Sequence, residues 1–267
     1  MSRIYVACFR NLWNFGRPLD MPINKIVNNF GDAVSDISDG AVVMIGGFGG
    51  AGGMPHLLML ALRDLGVRDL TVIGNTAGIA APTGFGWPEG VEPIDHAVLI
   101  ENGQIAKIIA SFPVSGSVSR PNAFETSFRA GDIELELVPQ GTLAERMRAA
   151  GAGIAAFYTP TAAGTMLACD KESRVFGGRE YVLEEALHAD FALIRAKSAD
   201  TLGNLTYSGT SRTFNPPMAA AAKVTIAEVD EIVEPGDIDP DRVDTPSIYV
   251  QRVVARPPVS QNGVVLP

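Results

Sequence analysis

Asp39-Gly40-Ala41-Val42-Val43-Met44-Ile45-Gly46-Gly47-Phe48-Gly49-Gly50-Ala51-Gly52-Gly53-Met54-Pro55-His56-Leu57-Leu58-Met59-Leu60-Ala61-Leu62 is the stretch that decides the fold. Ala41 to Ile45 is an uninterrupted apolar run after an Asp39-Gly40 turn. A strand buried on both faces has this pattern, and such strands belong to parallel sheets. Six glycines in the eight positions from Gly46 to Gly53 end the run. Met54-Pro55 then opens a helix, with proline where its missing N–H costs nothing, and Leu57, Leu58, Leu60, Ala61 and Leu62 form its apolar face.

Strand, glycine run and helix together bring backbone amides against an anionic or strongly polar ligand. Glycine has no Cβ to hold a ligand away, and a helix N-terminus offers unpaired N–H groups. A tight connection without a ligand is the plainer reading, but so many glycines carry an entropic cost of about 0.5–1 kcal/mol each and favour a ligand loop. The run matches neither a dinucleotide fingerprint nor a P-loop, since no Gly-Lys-Ser/Thr follows.

Outward from this stretch, apolar spacing predicts a helix over residues 23–38, with Ile26, Val27, Phe30, Ala33, Val34 and Ile37 on one face. Leu70-Thr71-Val72-Ile73 is a second buried strand, ending at Gly74-Asn75-Thr76-Ala77-Gly78. Polar residues at the carboxyl end of a parallel strand sit on the ligand-facing edge of such sheets, so Asn75 is a site candidate as well as a plausible turn residue. A helix over 94–102, a strand over 105–112 and a helix over 124–129 follow. Ile133 to Val138 alternates as a strand and meets the helix of residues 143–150 through Pro139-Gln140-Gly141-Thr142. Gly151 to Thr161 reads as a loop, residues 170–183 as a small β excursion, and Phe191–Ile194 and Val224–Val229 as further strands. Repeated βα units with short connections predict one α/β domain: a single open, mostly parallel sheet flanked by helices.

That domain spans residues 21–255. Residues 1–20 read either as an organelle-targeting leader or, more simply, as a tail without fold content ahead of a translation start at Met21, and residues 256–267 as a loose tail. Hydrophobic residues make up 46% of the chain, enough for a full core, and 21 basic against 30 acidic residues give a net charge of −9. Such a balance argues against nucleic acid as a partner. There is no apolar run long enough to span a membrane. The two cysteines, Cys8 and Cys169, form neither a disulfide framework nor a zinc motif, and no metal site is expected. These features fit a cytoplasmic protein.

Catalytic motifs are scarce: no GxSxG elbow, no HExxH, no nucleophile-like cysteine. Glu101-Asn102-Gly103 places a carboxylate beside a glycine turn. A glutamate so placed can attack an acyl group, and the same three residues also end an ordinary helix.

Several segments resemble the A (alpha) subunit of family I 3-oxoacid CoA-transferases. They are Asp39-Gly40 with Gly46-Gly47-Phe48, Leu70-Thr71 with Asn75, Val138-Pro139-Gln140-Gly141-Thr142-Leu143-Ala144-Glu145-Arg146, Phe157-Tyr158-Thr159-Pro160-Thr161, Gly203-Asn204-Leu205-Thr206-Tyr207 and Phe214-Asn215. The resemblance covers about residues 21–254. It implies a ping-pong transfer of CoA from an acyl-CoA such as succinyl-CoA to a 3-oxoacid, acetoacetate or 3-oxoadipate, with CoA as substrate and no cofactor. The nucleophilic glutamate of the family lies in the B subunit, so this chain is expected to hold no catalytic residue and to work with a B subunit, in an α2β2 assembly. By the same resemblance Asn75 and Gln140 support the reaction, and Gly46, Gly47, Phe48, Gly49, Gly52, Gly53, Thr76 and Gly141 line the substrate or CoA. Glu101 lies outside the family's glutamate motif. The glycine run has one residue more before Pro55 than is usual, and Thr76 replaces the second of a common Asn-Asn pair. The competing functions are part of a CoA-thioester hydrolase and a non-catalytic scaffolding component.

Overall fold

β1 (Val42–Ile45) forms from the apolar run ahead of the glycines and lies at the middle of the main sheet. The computed structural model describes residues 23–48, 52–80, 84, 87, 89–91, 93–117 and 119–257. Residues 1–20 and those beyond Pro257 lie outside this set, as does Gly49. After β1 the order is α2 (His56–Leu65), β2 (Leu70–Thr76), α3 (Ala97–Glu101), β3 (Ile105–Phe112), α4 (Ala123–Ala130), β4 (Glu134–Leu137) and α5 (Gln140–Gly151). Then follow β5 (Ala156–Thr159), β6 (Ser173–Phe176), β7 (Arg179–Glu185), β8 (Ala189–Asp200), β9 (Leu205–Thr206), α6 (Asn215–Ala221), β10 (Ala222–Val233) and β11 (Arg252–Ala255); α1 (Phe30–Val34) precedes β1.

Seven strands in the order β11-β10-β8-β1-β2-β3-β4 make an open parallel sheet, with β9 antiparallel beside β8. Strands β2 to β4 step outward on one side of β1, and β8, β10 and β11 on the other. The order therefore reverses between β1 and β8, and open α/β sheets bind ligands in the crevice at such a switch point. The glycine run leaves the sheet there: the Gly46 N–H donates to the Leu193 carbonyl of β8 at 2.9 Å.

Side chains alternate across the strands and build two cores. Val43, Ile45, Val72 and Ile108 face α1 to α4, packing on Leu58, Leu62, Leu99 and Phe124. Met44, Ile73, Ile109 and Ile194 face α5 and α6, packing on Leu143, Met147 and Met218. Each large side chain buried in this way stabilises the fold by roughly 1.5–3 kcal/mol. α2 stops at Gly66, whose φ of 74° is left-handed, and α4 starts at a reciprocal box in which the Asn122 side chain accepts from Glu125 N–H. Among the described residues no helix is long and apolar enough to cross a membrane.

The helix predicted over 23–38 shortens to α1. Lys25 and Val27 instead pair with Val253 along the edge of β11, and Asn29, whose side chain accepts from Asp32 N–H, sets a later start. The helix predicted from residue 94 begins at Ala97, because Asp95 turns its carboxylate back to accept from Ala97 N–H. The loop expected over Gly151–Thr161 contains the end of α5 and strand β5. β5 pairs with β7 in the separate antiparallel sheet β5-β7-β6, which includes the excursion predicted near residues 170–183. No sequence pattern predicts β11. Arg256, the first residue of the expected tail, is buried.

Candidate active site

Asn75 is the penultimate residue of β2 and Gln140 the first of α5, so both lie at the carboxyl edge of the sheet. Gln140 Nε2 donates to Asn75 Oδ1 at 2.7 Å. Asn75 is buried and Gln140 is exposed, so the pair reaches from the core to the surface. With that bond made, Gln140 Oε1 remains as an acceptor and Asn75 Nδ2 as a donor. An amide does not ionise at neutral pH, so the pair can orient and polarise an acyl group but cannot attack it. Gly141, exposed in the first turn of α5, has open space where a side chain would project. Thr76 is buried and follows Asn75 in the strand, which turns it to the opposite face of the sheet.

The glycine run borders the same edge. Phe48 is 49% exposed and stacks on Phe214, with ring centroids 6.2 Å apart. Gly52 is open on its Cβ side. Gly46, Gly47 and Gly53 are packed against the protein itself. A Cβ on Gly46 would lie 1.8 Å from Asn215 Oδ1, one on Gly47 2.2 Å from Met54 Cγ, and one on Gly53 2.4 Å from the Ser211 carbonyl oxygen. Gly53 also has φ of 79°, a conformation that L side chains rarely adopt.

The start of α2 does not offer the free amides expected of it. Leu57 N–H and Leu58 N–H both donate to Glu228 Oε2, at 2.9 and 3.0 Å. Glu228 lies on β10, is fully buried, and its other oxygen accepts from Arg256 Nη1 at 2.5 Å. Burial pushes the Glu228 carboxyl upward, opposed by the Arg256 guanidinium and the two helix amides. The helix dipole is thus met by the chain's own carboxylate. His56, first residue of α2, packs edge-on against Trp87 at 5.0 Å. Burial, with Arg256 and Arg195 nearby, lowers its pKa to about 3 and keeps it neutral.

Glu101 ends α3 just before β3, at the amino-terminal edge of the sheet. Its neighbour Asn102 donates to the Arg63 carbonyl, and Arg68 Nη1 donates to the Gly103 carbonyl. The length of β3, roughly 25 Å at the strand rise, separates it from the Asn75–Gln140 edge. Arg212 and Arg129 are paired with Asp244 and Glu125. Asn215 falls in a segment that carries the resemblance but has no role assigned there, and Glu228 and Arg256 do not stand out in the sequence as site residues. A signal for Glu228 was present: a lone acid inside the apolar run Ile226-Ala227-Glu228-Val229.

The family described as Coenzyme A transferase matches residues 27–256. The A subunit of the 3-oxoadipate CoA-transferase of Pseudomonas putida is 50% identical over 233 residues, 87% of this chain and 94% of that protein. The A subunit of the succinyl-CoA:3-ketoacid coenzyme A transferase of Xanthomonas campestris pv. campestris is 50% identical over 218 residues, 82% of this chain and 83% of that protein. Among solved structures, an acyl-CoA transferase apoenzyme from Escherichia coli O157:H7 shares the fold. Its TM-score is 0.77 at 22% identity, over 94% of this chain and 50% of that one. The parallel sheet and its polar carboxyl edge define a CoA-transferase-like α/β protein, and the chain belongs to the coenzyme A transferase family. Within that family it is similar along nearly its whole length to A subunits.

Proposed function

We propose that the chain is the A subunit of a heteromeric, cytoplasmic CoA-transferase that moves CoA from succinyl-CoA to a 3-oxoacid, acetoacetate or 3-oxoadipate, in an α2β2 assembly. The B subunit supplies the glutamate that attacks the thioester carbonyl, forming an acyl anhydride and releasing CoA thiolate. The thiolate attacks the glutamyl carbonyl, giving a glutamyl-CoA thioester and succinate; the acceptor carboxylate then takes the CoA by the reverse steps. Charge develops on the acyl oxygen in each addition, and a fixed donor beside it stabilises that charge. Asn75 and Gln140 take this role, with Phe48, Gly52 and Gly141 bordering the bound thioester.

The observation that carries the reading is the Asn75–Gln140 hydrogen bond, which presents polar amide groups at the sheet edge. Around it Phe48, Phe112, Val114 and Leu137 are all between 41% and 49% exposed, an apolar rim suited to cover by a second chain. The test is reconstitution with the candidate B subunit, following acyl-CoA exchange and free CoA release separately. Exchange that needs both chains supports the proposal; CoA release without exchange indicates a hydrolase, and a folded complex with neither indicates a scaffold.

A further inference from the structure

Asn215 has no exposed surface, and each polar atom of its amide is engaged. Its Oδ1 accepts from the Arg195 backbone N–H of β8 at 3.2 Å. Its Nδ2 donates to the Gly53 and Ser211 carbonyls, both at 3.0 Å. The same Oδ1 fills the space a Gly46 side chain would need, and the Ser211 carbonyl fills the space a Gly53 side chain would need. One amide therefore meets the first and the last residue of the glycine run and ties both to β8 at the switch point of the sheet.

The approach to Asn215 is strained. Thr213 has φ of 37° and ψ of −130°, outside the regions a non-glycine residue favours. This turn sends Phe214 onto Phe48 and Asn215 inward as the first residue of α6. A backbone held in such a conformation is over-determined by its surroundings, here by the ring stack on one side and the amide bonds on the other.

We infer that Asn215 is a positioning residue for the transfer reaction: it closes the base of the glycine run, so that Phe48 and the flanks of the run hold a single placement beside the Asn75–Gln140 pair. The inference rests on the proposed function only for where the chemistry takes place. The packing of the run against Asn215 stands without it.

The test uses the assembled enzyme and two readouts. Asn215→Ala is expected to raise hydrogen exchange about ten-fold at Gly46, Gly47, Phe48, Gly53 and Met54 and to leave β3 and β4 unchanged, as for local rather than global opening. It is also expected to lower kcat by about 10²-fold, more than it raises KM, as misplacement of reacting groups does. Asn215→Asp keeps the acceptor for Arg195 N–H and loses both donors, so it should behave like the alanine variant. Gly46→Ala alone should fold poorly, and Gly46→Ala with Asn215→Ala should recover stability, because the obstructing amide is gone, while turnover stays low. Unchanged exchange at the glycine flanks, or a double variant with wild-type turnover, overturns the inference. If the wild-type assembly transfers no CoA, the proposed function falls, and the exchange measurement still decides whether Asn215 holds the run.

Discussion

Gln140 Nε2 lies 2.7 Å from Asn75 Oδ1 although the two residues are 65 positions apart in the chain. The bond joins the carboxyl end of β2 to the amino end of α5, and it makes the two amides one unit. Gln140→Ala should lower turnover of the assembled enzyme by about 10²-fold, the loss found on removing one oxyanion-type contact. Because the residues act together, adding Asn75→Ala should cost far less than the sum of the two single losses. Steady-state rates for the two singles and the double close the cycle, and strict additivity would separate the roles of the two amides.

Glu101→Gln should leave turnover of the assembled enzyme unchanged. The carboxylate is at the wrong edge of the sheet, and its surroundings are those of an ordinary helix end. A covalent CoA adduct found on Glu101 by mass spectrometry would contradict this placement.

Glu228→Gln should destabilise the fold by up to about 3–5 kcal/mol, the cost of breaking a buried ion pair, since Arg256 then keeps only Asp230, 3.8 Å from its Nε. Both side chains are nearly inaccessible, Arg256 at 4% and Glu228 at 0%. Replacing both, as Glu228→Gln with Arg256→Gln, should recover much of the loss by removing the uncompensated charge. Urea unfolding of the three chains compares them, and a double variant no more stable than Glu228→Gln would refute a charge origin.

Acid should weaken the fold through its buried histidines. Burial lowers the pKa of His56 from 6.5 to about 3, and burial also lowers that of His96. The unfolded chain binds these protons near pH 6.5, and the native chain does not. Stability from this source is therefore complete above that pH and falls as pH drops below it, by at most about 1.4 kcal/mol per pH unit for each histidine. His56→Gln should flatten the curve between roughly pH 6 and pH 4. Denaturant midpoints across that range measure the difference, and parallel curves for the two proteins would show that His56 does not contribute.

The parts of the fold legible in the sequence are those set by neighbours along the chain. β1, the glycine run and α2 follow from an apolar run, a cluster of glycines and a proline at a helix start. Asn75 and Gln140 could be placed because each follows a recognisable strand, and parallel strands end on one edge. What escaped depends on distant partners. β11 is a short strand whose place comes from β10, and residues 25–27 are extended because β11 lies beside them. Asn215 acts on Gly53 across 162 positions, and Glu228 on Leu57 across 171. Periodicity carries no information about contacts of that range. The amides of α2 looked available for a ligand for the same reason: nothing near them in sequence shows that a strand far downstream supplies their acceptor.

The support beneath the α2 cap has a consequence for synthesis. Leu57 and Leu58 leave the ribosome long before Glu228, and Arg256 emerges later still. A growing chain therefore carries its glycine segment for most of translation with the first turn of the next helix uncapped. A transcript cut short before codon 256 would yield a protein with most of its sheet and a buried acid lacking its cation.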